Sequence, residues 1–189
     1  MPGTVLHLLR HGETVLPGRM TGRTDTMPTA EGIARCVVQA DGLSFERIVS
    51  SDLVRARAAA EAIGKAHSRI VEVDPRWREL DFGEWDGKPA DAVDPDALGR
   101  FWSDPDSCPP PRGECWSALA ARVGEALDAL DERPTLVVAH GGAMRAALSV
   151  LLGFAQPQLW AFALPCAARL SLEIWPGPAP RAQITGLAA

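Results

Sequence analysis

Lysine is almost missing from this chain of 189 residues: nearly all of its 19 basic residues are arginine, and Lys65 and Lys88 are the only lysines. Acidic residues outnumber basic ones and give a formal net charge of −5 at pH 7. A general attraction to nucleic acid or to an anionic membrane surface is therefore not expected. An anionic ligand would have to be held by a local cluster of arginines, whose guanidinium groups bind phosphate in a bidentate way.

Long hydrophobic runs and cysteine motifs are also missing. No apolar run reaches the ~18 residues that span a bilayer, and the first residues do not look like a secretory signal. The four cysteines have neither CxxC nor zinc-finger spacing. Cys108 and Cys115 could pair on number alone, but free thiols in a reducing compartment are favoured. We therefore expect a cytoplasmic protein, and the length favours a single domain over residues 1–189.

Short apolar runs alternate along the chain with helical patterns. This alternation predicts a three-layer α/β/α domain with a mainly parallel central sheet. The stretch 74–112 is rich in proline and should be mostly irregular, with one helix near 94–102. The expected strands are 5–10, 47–50, 70–73, 135–139, 168–175 and 181–185, and the other expected helices are 30–40, 52–67, 114–130 and 142–152.

Two of these strands end in the same pair of residues, His-Gly. Arg10, His11 and Gly12 follow the first strand, and His140 and Gly141 follow the strand 135–139. Ligands of α/β proteins bind at the carboxyl ends of strands. An imidazole is a nucleophile toward phosphorus that needs no metal, and arginine can bind two phosphate oxygens. Each histidine alone could be structural, but the two together indicate one site.

A third group of candidates follows the strand 47–50. Asp52 or Ser51 is expected to cap the helix that begins there. This helix carries Arg55 and Arg57, which are about 200° apart around the helix axis. Only one of the two can face the site. A free helix N-terminus of this kind, like the one after His140, also attracts anions.

The acidic stretch ELDFGEWDG is the candidate source of a general acid. A carboxylic acid in a partly apolar pocket can have a raised pKa and donate a proton. Composition does not choose among its members, and the alternative is a solvated acidic turn packed over Trp85. The four competing carboxylates are Glu79, Asp81, Glu84 and Asp86.

Other catalytic classes are excluded by missing motifs. No cysteine has an arginine six positions later, as a cysteine-based phosphatase would need, and neither a P-loop nor a dinucleotide fingerprint is present. The histidines show no metal-ligand spacing, and His7 is expected to face the core. We therefore expect neither a metal nor a cofactor. The four histidines are His7, His11, His67 and His140.

Four motifs in this order resemble the histidine phosphatase superfamily, in the branch related to cofactor-dependent phosphoglycerate mutase: LRHGET, SSDLVRA, ELDFGEWDG and VVAHGGAMR. The shorter stretches TGRTDTMPTAEG and PRGECW agree with it. The resemblance covers nearly the whole chain. It implies the phosphoglycerate mutase-like fold and a metal-independent phosphatase that forms a phosphohistidine.

The resemblance also implies a role for each matching residue. His11 would attack the phosphoryl group, and Glu79 would protonate the leaving oxygen and then activate water. Phosphoryl transfer is mostly positioning and charge stabilisation, which the remaining groups would supply. The phosphoryl oxygens would be bound by Arg10, Arg55, His140 and the backbone N–H of Gly141, and the substrate side would be lined by Thr21 and Gly22.

The chain departs from the family pattern at three places. Pro17 stands where an asparagine often contacts phosphate, and proline cannot supply that amide. Alanines 58–60 replace a common Gln-Thr-Ala, and Ala139 replaces a common serine. The spacing of 61 positions from Glu79 to His140 is shorter than in the mutases. A short insertion predicts a more open site and favours hydrolysis.

Within the superfamily, the chain is most similar to the short bacterial α-ribazole phosphatases, so a small phosphomonoester such as α-ribazole 5'-phosphate is the expected substrate. A broad-specificity sugar-phosphate phosphatase and a phosphoglycerate mutase are the alternatives. The non-enzymatic alternative, a catalytically silent binding module on this fold, is disfavoured because all the expected groups are present. No nucleic-acid or membrane partner is expected, and the apolar segment 159–164 is a candidate homodimer surface.

Overall fold

The computed structural model describes residues 3–175 and 181–189. Its six strands form one sheet with helices on both faces, which confirms the predicted α/β/α class. The strands are β1 Thr4–Arg10, β2 Arg47–Ser50, β3 Val71–Val73, β4 Thr135–Ala139, β5 Arg169–Trp175 and β6 Arg181–Ala188, and the helices are α1 Ala30–Ala40, α2 Val54–His67, α3 Pro95–Ser103, α4 Trp116–Asp128 and α5 Gly141–Leu152.

The order of strands across the sheet is β3-β2-β4-β1-β5-β6. The first four strands of this order pair in parallel, β5 is antiparallel to both of its neighbours, and the sheet is thus mainly parallel as predicted. Arg10 pairs with Ala139 across β1 and β4, and Ser50 pairs with Val138 across β2 and β4. The residues after β1, β4 and β2 therefore begin side by side at one edge of the sheet.

Alternate side chains of the central strands pack against opposite helical layers. Leu8 and Val137 belong to the core that contains α4 and α5, whereas Leu9 and Val138 belong to the core that contains α1 and α2. All four are buried. This alternation is the two-residue period of a strand buried on both faces, and it holds the strand ends rigidly.

The start of α2 differs from the expectation that Ser51 or Asp52 caps it. The N-cap residue is Leu53, and no side chain of the cap position bonds to the helix. The carboxylate of Asp25, from a loop distant in sequence, accepts the N–H of Val54 at 2.7 Å. Asp52 instead pairs with Arg78. The carboxylate that could cap the helix locally is therefore engaged in a tertiary ion pair instead.

The irregular region and the chain after α5 mostly follow the prediction. The region 74–112 contains three short 3₁₀ turns and the single helix α3, and α4 begins two residues later than expected. The strand expected at 181–185 is the edge strand β6 and reaches Ala188. The segment 159–164 buries Leu159 and Leu164 in the core of this chain, so these two side chains are not available to a second copy.

Cysteines and histidines outside the site occupy structural positions. All four cysteines are free thiols. His7 is buried, as expected, and its Nδ1 lies 2.8 Å from Ser171 Oγ. In the part of the chain that is described, no helix is both long and apolar enough to cross a membrane. The same residues contain no group of three or more potential metal ligands.

Candidate active site

His11 is held by its backbone at the end of β1. Its N–H donates to Ala139 O on β4, and its carbonyl accepts from Ala167 N–H. The ring Nδ1 lies 2.7 Å from Gly12 O. A carbonyl only accepts, so Nδ1 carries the proton and Nε2 is left with a lone pair. Burial, reinforced by Arg55 and Arg10, lowers the pKa of His11 to about 3. His11 is therefore a neutral imidazole at pH 7, with Nε2 free to act as a nucleophile.

His140 lies beside His11 because β4 is the neighbour of β1. The two ring centroids are 5.2 Å apart. Arg55 Nε donates to His140 Nδ1 at 3.3 Å, so the His140 proton is on Nε2, which has no partner among the described residues. Burial, together with Arg55, His11 and Arg10, lowers the pKa of His140 well below its usual value. In the free protein the His140 ring is therefore a neutral N–H donor.

Arg55 is the fully buried arginine of this site. Of the two candidate arginines on α2, Arg55 faces the site, whereas Arg57 lies outside and pairs with Glu61. The Arg55 guanidinium donates to the carbonyls of Thr21 at 2.6 Å, Gly22 at 3.1 Å and Thr24 at 2.8 Å. Thr21 and Gly22 therefore hold Arg55 through their backbone carbonyls, and their place on the substrate side stays a prediction.

Glu79 lies over the first turn of α5. Gly142 N–H donates to both of its carboxylate oxygens, at 2.9 and 3.1 Å, and Leu80 N–H donates to Oε1 at 2.8 Å. These contacts fix the position of the Glu79 side chain at the start of the helix, whose first N–H groups have no partner within the helix itself. A Cβ at position 142 would overlap Glu79 Oε1, so this contact requires the glycine. Sequence reasoning placed a phosphate-binding role at Gly141 and missed Gly142.

The three competing carboxylates are occupied elsewhere. Asp81 Oδ2 accepts from Arg23 Nε at 3.2 Å, and Asp81 Oδ1 accepts from Gly83 N–H. Glu84 pairs with Arg112 at the surface. The fourth acid, Asp86, accepts three backbone N–H groups of residues 22–24. Of the four acids in ELDFGEWDG, Glu79 is the one that lines the cavity next to Arg10.

Arg10 and Arg145 bring two more cations to this edge of the sheet. Arg10 donates to Leu164 O at 2.5 Å, and its guanidinium carbon would lie 3.5 Å from a Cβ on Gly141. Arg145, one turn into α5, donates to Gly141 O and to Phe162 O, both at 3.2 Å. Arg145 is the last residue of the motif VVAHGGAMR, but nothing in the sequence marked it as a site residue.

A cavity of about 150 Å³ opens beside these groups. Its inner side is formed by Arg10, Glu79 and the first residues of α5, and its outer walls are mainly apolar and aromatic. Pro17 is exposed in the loop after β1 and is not part of this lining. The arrangement combines a neutral imidazole, an N–H donor, three arginines and one acid, and these include the groups needed for transfer of a phosphoryl group.

The chain belongs to the histidine phosphatase superfamily (branch 1), whose family model matches residues 6–181. It is 32% identical over 160 residues to the "Probable phosphoglycerate mutase GpmB" of Yersinia pestis, and the match covers 78% of this chain and 74% of that protein. The superfamily and the phosphatases among its structural relatives identify an enzyme of the phosphatase class.

Two solved structures share nearly the whole fold. A mycobacterial glucosyl-3-phosphoglycerate phosphatase superposes with a TM-score of 0.84 at 29% identity and covers 97% of each chain. A protein of Escherichia coli proposed to be an alpha-ribazole-5'-P phosphatase also superposes with a TM-score of 0.84, at 25% identity, and the match covers 99% of this chain and 97% of that one. These neighbours confirm the expected phosphoglycerate mutase-like fold.

Proposed function

We propose that this chain hydrolyses small phosphomonoesters without a metal, through a phosphohistidine on His11. The observation that carries the proposal is the state of His11. Its Nδ1–H is bound to Gly12 O, so Nε2 is unprotonated. The ring lies next to His140, and the nearby Arg55 and Arg10 help to lower its pKa. This arrangement orients a nucleophile and surrounds it with donors for a phosphate dianion.

The proposed reaction has two steps. In the first, His11 Nε2 bonds to phosphorus, the ester P–O bond breaks, and Glu79 gives its proton to the leaving alcohol oxygen. In the second, Glu79 takes a proton from water, the water oxygen bonds to phosphorus, and the P–N bond breaks to release inorganic phosphate. Arg10, Arg55 and the His140 Nε2–H bind the non-bridging oxygens, and the Gly141 N–H adds a further donor.

Hydrolysis is favoured over return of the phosphoryl group to an acceptor. Trp102 and Trp160 on the cavity wall are 42% and 46% exposed. The cavity is therefore in contact with solvent, and water can reach the second step.

Replacement of His11 tests the nucleophile. With p-nitrophenyl phosphate and EDTA in the assay, His11→Ala should lower kcat by ~10³-fold or more, because a chemical step loses its nucleophile. His67→Ala, at the C-terminal end of α2 and away from the site, serves as the matched control and should keep full activity. A rapid alkaline quench of the unmodified enzyme should preserve a phosphoenzyme, and subsequent acid treatment should release its phosphate. Turnover by His11→Ala at the normal rate would refute the mechanism.

Replacement of Glu79 tests the general acid. Glu79→Gln should lower kcat/KM for an alkyl phosphate by ~10²-fold or more, since an alcohol leaving group needs its proton. The loss with p-nitrophenyl phosphate should be far smaller because that leaving group needs little protonation. Glu84→Gln, at the surface of the same motif, is the control. Equal losses for the two esters would assign the proton to another group.

The similarity of the motifs to those of known phosphatases also suggests particular substrates. α-Ribazole 5'-phosphate is the first candidate, because a structural neighbour is proposed to act on it. A broad-specificity sugar-phosphate phosphatase and a phosphoglycerate mutase are the alternatives, the second because of the Yersinia relative. A comparison of kcat/KM for α-ribazole 5'-phosphate, 3-phosphoglycerate and fructose bisphosphate separates the three. Formation of 2-phosphoglycerate from 3-phosphoglycerate would identify a mutase.

A further inference from the structure

The outer walls of the active-site cavity form one continuous aromatic surface. Ring centroids are 6.3 Å apart for Phe82 and Phe101, 4.8 Å for Phe101 and Trp102, and 5.0 Å for Trp102 and Trp160. Trp116, the first residue of α4, also lines the cavity. Tilted and edge-to-face pairs of this kind leave ring faces and edges for a further planar ring.

The two exposed tryptophans come from separate parts of the chain. Trp102 is on α3, and Trp160 is on the 3₁₀ helix Gln156–Ala161 that follows α5. Their rings meet nearly at right angles, with an interplanar angle of 80°. A pair of large apolar side chains that stays about half exposed at the mouth of a cavity is typical of a ligand-binding surface.

Arg145 supports this aromatic surface. Its guanidinium lies 4.6 Å from the Trp160 ring centroid, and two of its N–H groups donate to backbone carbonyls. A guanidinium over a ring face adds a cation–π attraction. Trp160 is therefore held in place at the cavity wall.

We infer that this cavity binds the alcohol part of the substrate, and that it selects a planar aromatic group, stacked against Trp102 and Trp160. The inference rests on the proposed phosphatase function. The volume agrees with it, since a cavity of roughly 150 Å³ takes one benzene ring in another protein. Trp102 and Trp160 would thus determine specificity, whereas the phosphate-binding groups would treat all phosphomonoesters alike.

The test compares three alkyl esters whose leaving alcohols have similar acidity: 2-phenylethyl, 2-cyclohexylethyl and propyl phosphate. We expect kcat/KM to be ~10-fold higher for the phenylethyl ester than for the propyl ester, as one aromatic contact allows. The cyclohexyl ester, which is apolar but not planar, should fall between them. 3-Phosphoglycerate should be a poorer substrate than the phenylethyl ester.

Two variants assign this preference to the tryptophans. Trp102→Ala and Trp160→Ala should each reduce the ratio of kcat/KM for the phenylethyl ester to kcat/KM for the propyl ester by ~3-fold or more. Trp175→Ala, on β5 and outside this cavity's lining, is the matched control and should keep the preference. A preference that is absent from the unmodified enzyme, that survives in both variants, or that is reversed in favour of 3-phosphoglycerate would overturn the inference.

Binding of phosphonates keeps the inference separate from the proposed function. Calorimetry should show tighter binding of 2-phenylethylphosphonate than of propylphosphonate, and the difference should shrink in both tryptophan variants. If no ester is hydrolysed, the phosphatase mechanism fails while these affinities still decide what the cavity binds. Equal affinities of the two phosphonates would overturn the inference even in an active phosphatase.

Discussion

Asp86 supports the site without lying in its cavity. Its two carboxylate oxygens accept the N–H groups of Gly22 at 3.0 Å, Arg23 at 2.8 Å and Thr24 at 2.8 Å. The carbonyls of the same loop hold the guanidinium of Arg55. Asp86 therefore positions Arg55 indirectly, because it binds the N–H groups of the loop whose carbonyls hold the guanidinium. Arg55 in turn orients His140.

Asp86→Ala should loosen this loop and weaken phosphate binding. We expect kcat/KM for phosphomonoesters to fall by ~10-fold or more, because a charged hydrogen-bond network that orients a phosphate ligand is lost. Calorimetric affinity for inorganic phosphate should fall in parallel, and Asp86→Asn, which retains one acceptor oxygen, should recover part of both. Asp91→Ala, an exposed aspartate nearby, is the control. A variant with lowered stability but normal phosphate affinity would limit Asp86 to a structural role.

At the level of single residues, the sequence identified the chemistry but not every assignment. His11, His140 and Arg55 could be selected from the sequence because each follows a strand end and has a side chain suited to binding or attacking a phosphate. The choice among the four acids was different, because each is a carboxylate in the same short turn. Their partners favour Glu79: Arg23, Arg112 and a backbone loop engage the other three acids, and Glu79 remains beside the cavity.

At the level of elements, β1 and α1 approach each other through glycine. A Cβ on Gly12 would overlap the backbone of Gly32, and a Cβ on Gly32 would lie 2.5 Å from Glu13 N. Gly32 is buried near the start of α1. The residues that follow His11, the proposed nucleophile, are therefore packed directly on the helix backbone, with no side chain between them.

Gly32→Ala should destabilise the protein even though alanine is the better helix former. The new methyl group must displace the backbone after His11, at a cost of roughly 1–3 kcal/mol in the free energy of unfolding, and activity should fall with it. Gly124→Ala is the matched control in α4. Its Cβ would contact Val150 at an ordinary 3.9 Å, so it should stabilise by about 0.5–1 kcal/mol. Urea unfolding of both variants measures the difference, and equal effects would contradict the packing argument.

Local sequence rules performed unevenly for helix ends. Thr29 caps α1 as its position predicts, with its side chain accepting the Gly32 N–H. Gly153 ends α5 in the left-handed conformation, with φ of 69°. The predicted cap of α2 was wrong. Asp52, the carboxylate that the local rule selects, pairs with Arg78, which is distant in sequence. Capping rules hold where no tertiary charge competes.

At the level of the whole molecule, Arg122 joins α4 to the irregular region that carries Glu79. Its guanidinium donates to the carboxylate of Glu114 at 2.7 and 2.8 Å, and to the carbonyls of Arg76, Arg78 and Glu79 at 2.7 to 2.9 Å. The side chains of Arg122 and Glu114 are only 17% and 12% exposed. One buried cation thus holds the backbone of the proposed general acid.

Arg122→Met should lower the free energy of unfolding by about 3 kcal/mol or more, because it leaves Glu114 buried without its partner. It should also lower kcat for alkyl phosphates, since the backbone of Glu79 loses its anchor. Arg133→Met is the control, because Arg133 and Asp131 form an exposed pair at 51% and 48% exposure, and exposed pairs contribute little. Denaturant unfolding and steady-state kinetics decide it. Equal stability losses in the two variants would contradict this role of Arg122.

The sequence by itself determined the layered α/β/α class, the strands and the residue types at their ends. These depend on two-residue periodicity and on the chemistry of single side chains, both of which can be seen within a short window. Only the tertiary structure decided which strands are neighbours, which acid remains beside the cavity, and that α3 and the segment after α5 meet in one aromatic wall. The physical reason is that these contacts join residues tens of positions apart, so they exist only after the sheet order and its crossovers have brought those residues together.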